Sequence, residues 1–413
     1  MLTNDCPKPT TVNLAHCTLA APYVDSFVAA LTETGYKQST INNHLRAVIH
    51  LCNWHAGRAR GLTDFGDASI AEFRQHLHVD PSSAGRLTNE LELRGAKLFL
   101  RHLRQRAVIP SADRSVTETT TPRLFVQFCA WMQDHRGAAN ATLTAYGRII
   151  IDAIQTLGDD PKQYGVGALR MFVLDRANKH GRSKAKLVMT ALRTFVRYLI
   201  SAGECPIGLD AAIPTIAHWR LSALPRYLPA PDVERIVAAC DPTTSVGARD
   251  RAILLLLSRL GMRGGDIVAL RLDDIDWKQS NVKVLGKSRR EVLLPLSQEV
   301  GDAVLRYLDY ARPISSDRLF LRVTPPLGPF ASAATVSDLV KRAILRAGVD
   351  APAYGSHVLR HSAATTLLAE GASLDSIGVL LRHRSLETTA HYAKVDINRL
   401  RQLAQPWPEV LPC

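Results

Sequence analysis

The sequence predicts a mainly α-helical protein with one small antiparallel β-sheet in its C-terminal domain. Apolar residues recur at helical spacing through most of the chain, as in Leu45, Val48, Leu51 and Cys52 or Leu192, Phe195, Val196 and Leu199. The composition agrees, being 46% hydrophobic but only 6% aromatic and dominated by Leu, Ala and Val. The period drops to two in Val282-Lys283-Val284-Leu285 and Glu291-Val292-Leu293-Leu294, on either side of Gly286-Lys287-Ser288-Arg289-Arg290. Two such runs around a short polar link read as a hairpin.

A chain of 413 residues has room for two or three domains, each with its own core. Two stretches interrupt the helical pattern. Ser111 to Thr121 is rich in Ser and Thr, and Pro206 to Pro231 carries Pro206, Pro214, Pro225, Pro229 and Pro231, which stop helices. They divide the chain into residues 1–110, 121–205, a linker at 206–229, and 230–413. The first two blocks resemble each other. Gly35, Thr40, His44 and Arg46 recur at the same spacing as Gly137, Thr142, Tyr146 and Arg148, and Phe99-Leu100-Arg101-His102-Leu103 parallels Phe195-Val196-Arg197-Tyr198-Leu199. Each block is expected to be a small helical bundle of one type.

In the third block Asp232 is the expected N-cap of a helix holding Val233, Ile236 and Val237, and Asp250 the expected start of an apolar helix running to Leu260. Gly261 ends that helix, Arg263 follows on a turn, and Ile267 to Leu270 resumes the apolar pattern. The hairpin comes next, with Lys287 at its exposed tip. Val336, Leu339, Val340 and Ile344 then mark one helix, and His357 to Leu368 another. Ile397, Leu400 and Leu403 are spaced for a short amphipathic helix ahead of Pro406-Trp407-Pro408.

The formal charge of +13 attracts polyanions, of which nucleic acid is the commonest. Seven cysteines, odd in number and scattered without a CxxC pair, suit a reduced cytoplasmic chain and argue against a cysteine zinc site. The longest apolar run, Ala252 to Leu257, is too short to span a membrane, and no basic segment precedes an apolar one at the N-terminus. In the second block Arg148 and the cluster Asn178 to Lys186, with Lys179, Arg182, Lys184 and Lys186, are candidate DNA contacts. The cluster falls near a helix N-terminus, a favourable place for phosphate.

The third block holds the candidate chemistry. His357 and Arg360 lie three apart and share a helix face. His361, four from His357, has the spacing of a metal pair, but no glutamate lies between them and a guanidinium beside a dication is repulsive, so a metal site is not expected. Tyr392 follows His383 by nine residues in Leu381-Arg382-His383-Arg384-Ser385-Leu386-Glu387-Thr388-Thr389-Ala390-His391-Tyr392. Cations, imidazoles and one phenol in this order suit attack on a phosphate.

From Leu224-Pro225-Arg226-Tyr227-Leu228 through Arg249-Asp250-Arg251, Gly261-Met262-Arg263, Gly286-Lys287, His357-Val358-Leu359-Arg360-His361 and Leu381-Arg382-His383 to His391-Tyr392, this block resembles the catalytic domain of tyrosine recombinases, also called phage integrases. The resemblance implies that Arg263, Lys287, His357, Arg360, His383 and Tyr392 form the active site. Arg263, Arg360 and His383 would hold the nonbridging phosphate oxygens, and Tyr392 would attack to form a 3′-phosphotyrosyl bond. His357 would accept the phenolic proton, and Lys287 would protonate the leaving 5′ oxygen. No ATP, metal or other cofactor is implied. The second block is similar to the family's helical core-binding domain, and the first is a possible second copy of it.

The partners implied are double-stranded DNA and a tetramer, of this chain alone or with related recombinases, on two DNA sites, serving integration, excision or transposition of mobile DNA. The alternatives are an accessory DNA-binding protein of the same fold without chemistry, and a type IB topoisomerase. Arg382 stands where the family usually has glycine, and Asp266 where glutamate is common. His361 and His391 fall outside the matched positions.

Overall fold

The computed structural model describes residues 11–16, 18–58, 60–79, 88–109, 122–179, 181–215, 224–285, 291–383, 385–396 and 400–401, without the side chains of residues 79, 182 and 183. By its contacts the chain forms two compact units, one of Met1–Leu103 with Arg220–Cys413 and one of Arg104–Trp219.

The chain begins with α1 (Thr11–Ala15), α2 (Val24–Glu33), α3 (Gln38–Ala56), α4 (Asp67–Val79) and α5 (Asn89–Gln105). The second unit holds α6 (Arg123–Arg136), α7 (Asn140–Leu157), α8 (Val166–Asn178) and α9 (Arg182–Ser201). One aromatic contact recurs in the series α2 to α5 and α6 to α9. Phe27 on α2 meets Phe99 on α5 edge-to-face at 5.3 Å and 75°, while Phe128 on α6 meets Phe195 on α9 at 5.5 Å and 87°. Such rings fill a core and fix its geometry at once, so the same knot joins the first and last helix of each series.

The remainder runs α10 (Ala230–Ala238), α11 (Ser245–Arg259), α12 (Gly264–Ala269), β1 (Ile275–Asp276), β2 (Asn281–Leu285), β3 (Glu291–Pro295), α13 (Gln298–Tyr310), β4 (Leu321–Arg322), β5 (Gly328–Pro329), α14 (Ala333–Arg346), α15 (Ser356–Ala369), α16 (Leu374–Leu380) and α17 (Leu386–Thr389), then a 3-10 turn at Ala390–Val395. The run Ala252 to Leu257 is buried throughout. A helical stretch that is apolar all round belongs inside a core, and this part of α11 lies in one. Strands β1, β2 and β3 pair antiparallel in that order, with Val282 opposite Leu294 and Val284 opposite Val292. The expected hairpin is thus present, while its link, Gly286 to Arg290 with Lys287, lies outside the described residues. Ile397 and Leu403 lie outside them too.

Two helix starts differ from expectation. Helix α10 is capped by Pro229, with Asp232 inside the first turn, where it pairs with Arg235 at 3.0 Å. Pro231, the second helical residue, has its φ fixed for the helix and needs no N–H partner there, so the chain turns earlier than the carboxylate suggested. Helix α11 begins at Ser245 because the Thr244 hydroxyl accepts from Gly247 N at 3.0 Å. Asp250 is instead buried and holds Arg249 at 2.6 Å.

Candidate active site

The site begins where α11 ends. Gly261 takes φ +56, and a Cβ there would come within 2.4 Å of Leu381 Cδ2, so the position demands glycine twice over. Two residues on, Arg263 leaves the turn extended and caps α12. Its N–H donates to Asp266 Oδ2 at 2.9 Å, a carboxylate satisfying an otherwise unpaired helix-end donor.

Helix α15 brings up the second arginine. Arg360 is buried, and its guanidinium donates through Nη1 to Gly261 O and through Nη2 to Leu381 O. Arg263 Nη2 donates to the same Leu381 carbonyl at 3.3 Å and to Arg382 O at 3.2 Å. Two guanidinium groups therefore meet on the carbonyl of Leu381, two residues before His383. Burial pushes Arg360 down to about 10 with Arg263 adding repulsion, and burial followed by Arg382 lowers Arg263. A pKa near 10 still leaves Arg360 cationic at neutral pH, so the two form a positive cluster ready for an anion.

His383 Nδ1 lies 2.9 Å from Thr389 Oγ1. Burial, then Arg360 and Arg263, hold the imidazole down to about 4, so it is neutral. In the tautomer whose Nδ1 accepts from the threonine hydroxyl, Nε2 carries the ring proton and can donate to an anion. The His383 and Tyr392 rings are parallel within 5°, with centroids 6.3 Å apart. Tyr392, on the 3-10 turn, is 2% exposed, and burial raises its phenol while Arg360 and Arg263 pull it down.

The imidazole hydrogen-bonded to Tyr392 is His361, with Nδ1 2.9 Å from Oη. Burial, then His357 and His391, push His361 down to about 4. The sequence left His361 aside and favoured His357, which instead lines a cavity of about 1400 Å³ with Arg263, Asp266, Arg382 and His383. Spacing alone could not find this contact, because the phenol arrives from a segment 31 residues away.

The structure thus brings Arg263, His357, Arg360, His383 and Tyr392 together and adds His361 and Arg382, while Lys287 lies outside the described residues. The candidate DNA contacts belong to the other unit. Arg148 is exposed on α7, and Lys184 and Lys186 are exposed on the first turns of α9. Lys179 closes α8 and pairs with Asp175 at 2.9 Å. Arg182 opens α9, its side chain outside the described set.

The Phage integrase family model matches residues 226–399. The chain is 33% identical over 393 residues to the "Putative integrase/recombinase y4rA" of Sinorhizobium fredii, covering 94% of each chain. It is 30% identical over 289 residues to the tyrosine recombinase XerC of Thermodesulfovibrio yellowstonii, covering 68% of this chain and 95% of that one. A crystal structure of a lambda integrase tetramer bound to a Holliday junction shares the fold, with a TM-score of 0.54 at 16% identity over 80% of this chain and 93% of that one. Among the described residues no helix is long and apolar enough to cross a membrane. With arginines from α12 and α15, a histidine and a terminal phenol gathered in the matched region, the chain belongs to the phage integrase family of tyrosine recombinases, enzymes that transfer DNA strands.

Proposed function

We propose that this chain cuts and rejoins double-stranded DNA at specific sites through a covalent 3′-phosphotyrosyl bond at Tyr392, in the integration, excision or transposition of mobile DNA. The observation that carries the reading is the meeting of Arg263 and Arg360 on one carbonyl beside His383 and Tyr392. A phosphodiester repels nucleophiles, and its pentavalent transition state gathers charge on the nonbridging oxygens. Forked guanidinium donors held in advance counter that charge, each contributing about 10²–10³ in rate, and His383 adds Nε2–H.

In the step itself the bond from Tyr392 Oη to phosphorus forms as the bond to the 5′ oxygen breaks. The phenolic proton passes to His361, whose nitrogen already lies in reach, while Lys287 is assigned the proton for the leaving oxygen on the family resemblance. The phosphotyrosyl bond conserves the energy of the cut linkage, so a 5′ hydroxyl of another strand reseals it without ATP or metal.

The recurrent aromatic knot supports reading residues 1–110 as a second copy of the core-binding block at 121–205, ahead of the linker at 206–229 and the catalytic domain at 230–413. Arg148, Lys179, Arg182, Lys184 and Lys186 are assigned to the DNA backbone. The lambda integrase tetramer on a Holliday junction supports a four-protomer assembly here, of this chain alone or with related recombinases, acting on DNA in the cytoplasm.

The test is covalent capture. The chain is mixed with a pool of randomised nicked duplexes, denatured, and the protein-bound DNA sequenced. The reading expects an adduct on one recurring core sequence that Tyr392→Phe abolishes. Binding without an adduct would leave the accessory-protein alternative, and relaxation of plasmids lacking that core would favour the topoisomerase.

A further inference from the structure

Helix α16 hands the chain on to His383 through residue 382. Arg382 N donates to Val379 O and His383 N to Gly378 O, both at 2.9 Å. That paired closure ends a helix when the next residue adopts left-handed backbone, and Arg382 does so at φ +54. Glycine enters this conformation without a Cβ clash, whereas arginine must tolerate one. An arginine here therefore needs a role that glycine lacks.

Its side chain supplies one. The guanidinium is 5% exposed and places Nη2 2.5 Å from Asp266 Oδ2. The same carboxylate oxygen accepts the Arg263 N–H at 2.9 Å, and Arg263 Nη2 in turn donates to Arg382 O at 3.2 Å. Three residues close a circuit: Arg263 main chain to Asp266, Asp266 to the Arg382 side chain, and Arg382 main chain to the Arg263 side chain. The two departures from the family pattern, Asp266 and Arg382, are partners of each other. Arg382 Nε and Nη1 are buried without a hydrogen-bond partner among the described residues, and Arg382 lines the same cavity as Arg263, His357 and His383.

We infer that Arg382 is a positioning residue of the strand-transfer site, acting with Asp266 to set where the Arg263 guanidinium meets the scissile phosphate. The inference rests on the strand-transferase reading. The carboxylate is what makes the arrangement tolerable, because it pairs with the Arg382 guanidinium and its charge offsets the repulsion between Arg382 and Arg263. A planar fork is needed because one edge faces Asp266 while the rest of the group stays in the cavity wall. Lysine, a point charge, does not reproduce that.

The experiment measures single-turnover adduct formation on a nicked duplex carrying the core that the wild-type chain captures, at saturating protein, with duplex binding measured separately. R382G is expected to bind the duplex as the wild type does and to form adduct more slowly by about 10–100-fold, the effect of a misplaced catalytic group. D266N, whose amide oxygen still accepts from Arg263 N, is expected to match it. R382K should remain slow, and the R382G/D266N double variant should be no slower than the slower single variant, as for two parts of one contact. Wild-type rates in R382G, or losses that multiply in the double variant, would overturn the assignment. If R382G fails to fold, D266N decides alone, and a wild-type rate there overturns it as well. Failure of the wild-type chain to form an adduct that Tyr392→Phe abolishes would sink the strand-transferase reading instead.

Discussion

Nδ1 of His361 lies 2.9 Å from the phenolic oxygen of Tyr392, joining α15 to the 3-10 turn that carries Tyr392. Burial raises the phenol and lowers the imidazole, so both partners rest uncharged. In the tautomer protonated at Nε2, the phenol donates to Nδ1 of the ring. In the attack proposed above the acidity of Oη would climb as it bonds phosphorus, and the proton would transfer along a bond that already exists. A phosphate bound nearby also offsets the surrounding cations, which strengthens the imidazole as a base at the moment it is needed.

His361→Phe should therefore slow adduct formation by about 10²–10⁴-fold, the range for loss of a general base, with duplex binding unchanged. A substrate with a 5′-bridging sulfur needs no proton on its leaving group, so it separates the two transfers. Slow cleavage of that substrate by His361→Phe is expected, and restoration to the wild-type rate would refute the assignment.

Gly261→Ala places a methyl 2.4 Å from Leu381 Cδ2 on backbone at φ +56. Left-handed strain and overpacking together should lower stability by about 2–4 kcal/mol. Urea unfolding measures the loss. Adduct formation in the folded fraction should fall too, because Leu381 carries the carbonyl that both arginines use.

Arg360→Lys keeps a charge but not a fork. Gly261 O and Leu381 O cannot both be reached by one ammonium in the same geometry, and a buried acceptor left without a donor costs about 1–3 kcal/mol. Cleavage should drop by about 10²–10³-fold with a smaller change in DNA affinity. Equal losses in cleavage and affinity would place Arg360 in binding alone.

Acid should weaken the fold before it protonates the carboxylates. His361 and His383 are held near 4 in the folded chain against an ordinary 6.5, and His357 is lowered too. As pH falls, the unfolded chain takes up these protons first. Stability is therefore full above about pH 7 and declines toward pH 4, each group contributing a slope of up to about 1.4 kcal/mol per pH unit. Urea midpoints at pH 7 and pH 5 test this, with His383→Asn expected to flatten the difference.

The order of Arg263, Lys287, His357, Arg360, His383 and Tyr392 was legible as a family resemblance, because these residue types suit phosphate chemistry, and their catalytic roles remain the proposal made above. Gly261 showed as a helix stop and the hairpin as a change of period, and both elements are present. Helix starts were less legible at α10 and α11, since Pro231 in the first turn and the Thr244 hydroxyl set the starts ahead of the nearby aspartates. The contact between His361 and Tyr392 was hidden for a similar reason. Successive residues on a helix turn by about 100°, so His357 and His361 both lie near Arg360, and only packing against a distant segment decides which meets the phenol. The Arg382 departure was visible in the motif, but its partner lies 116 positions earlier, beyond the reach of any local pattern.

Because one peptide oxygen, that of Leu381, receives both Arg263 and Arg360, the two cannot be disturbed separately by motion of that strand of chain. A push on residues 380–383 moves the seats of both guanidinium groups and the His383 ring in a single displacement. A neighbouring subunit acting on this segment would work as an on–off switch for the whole site, and half-active protomers should be scarce in any assembly that it regulates.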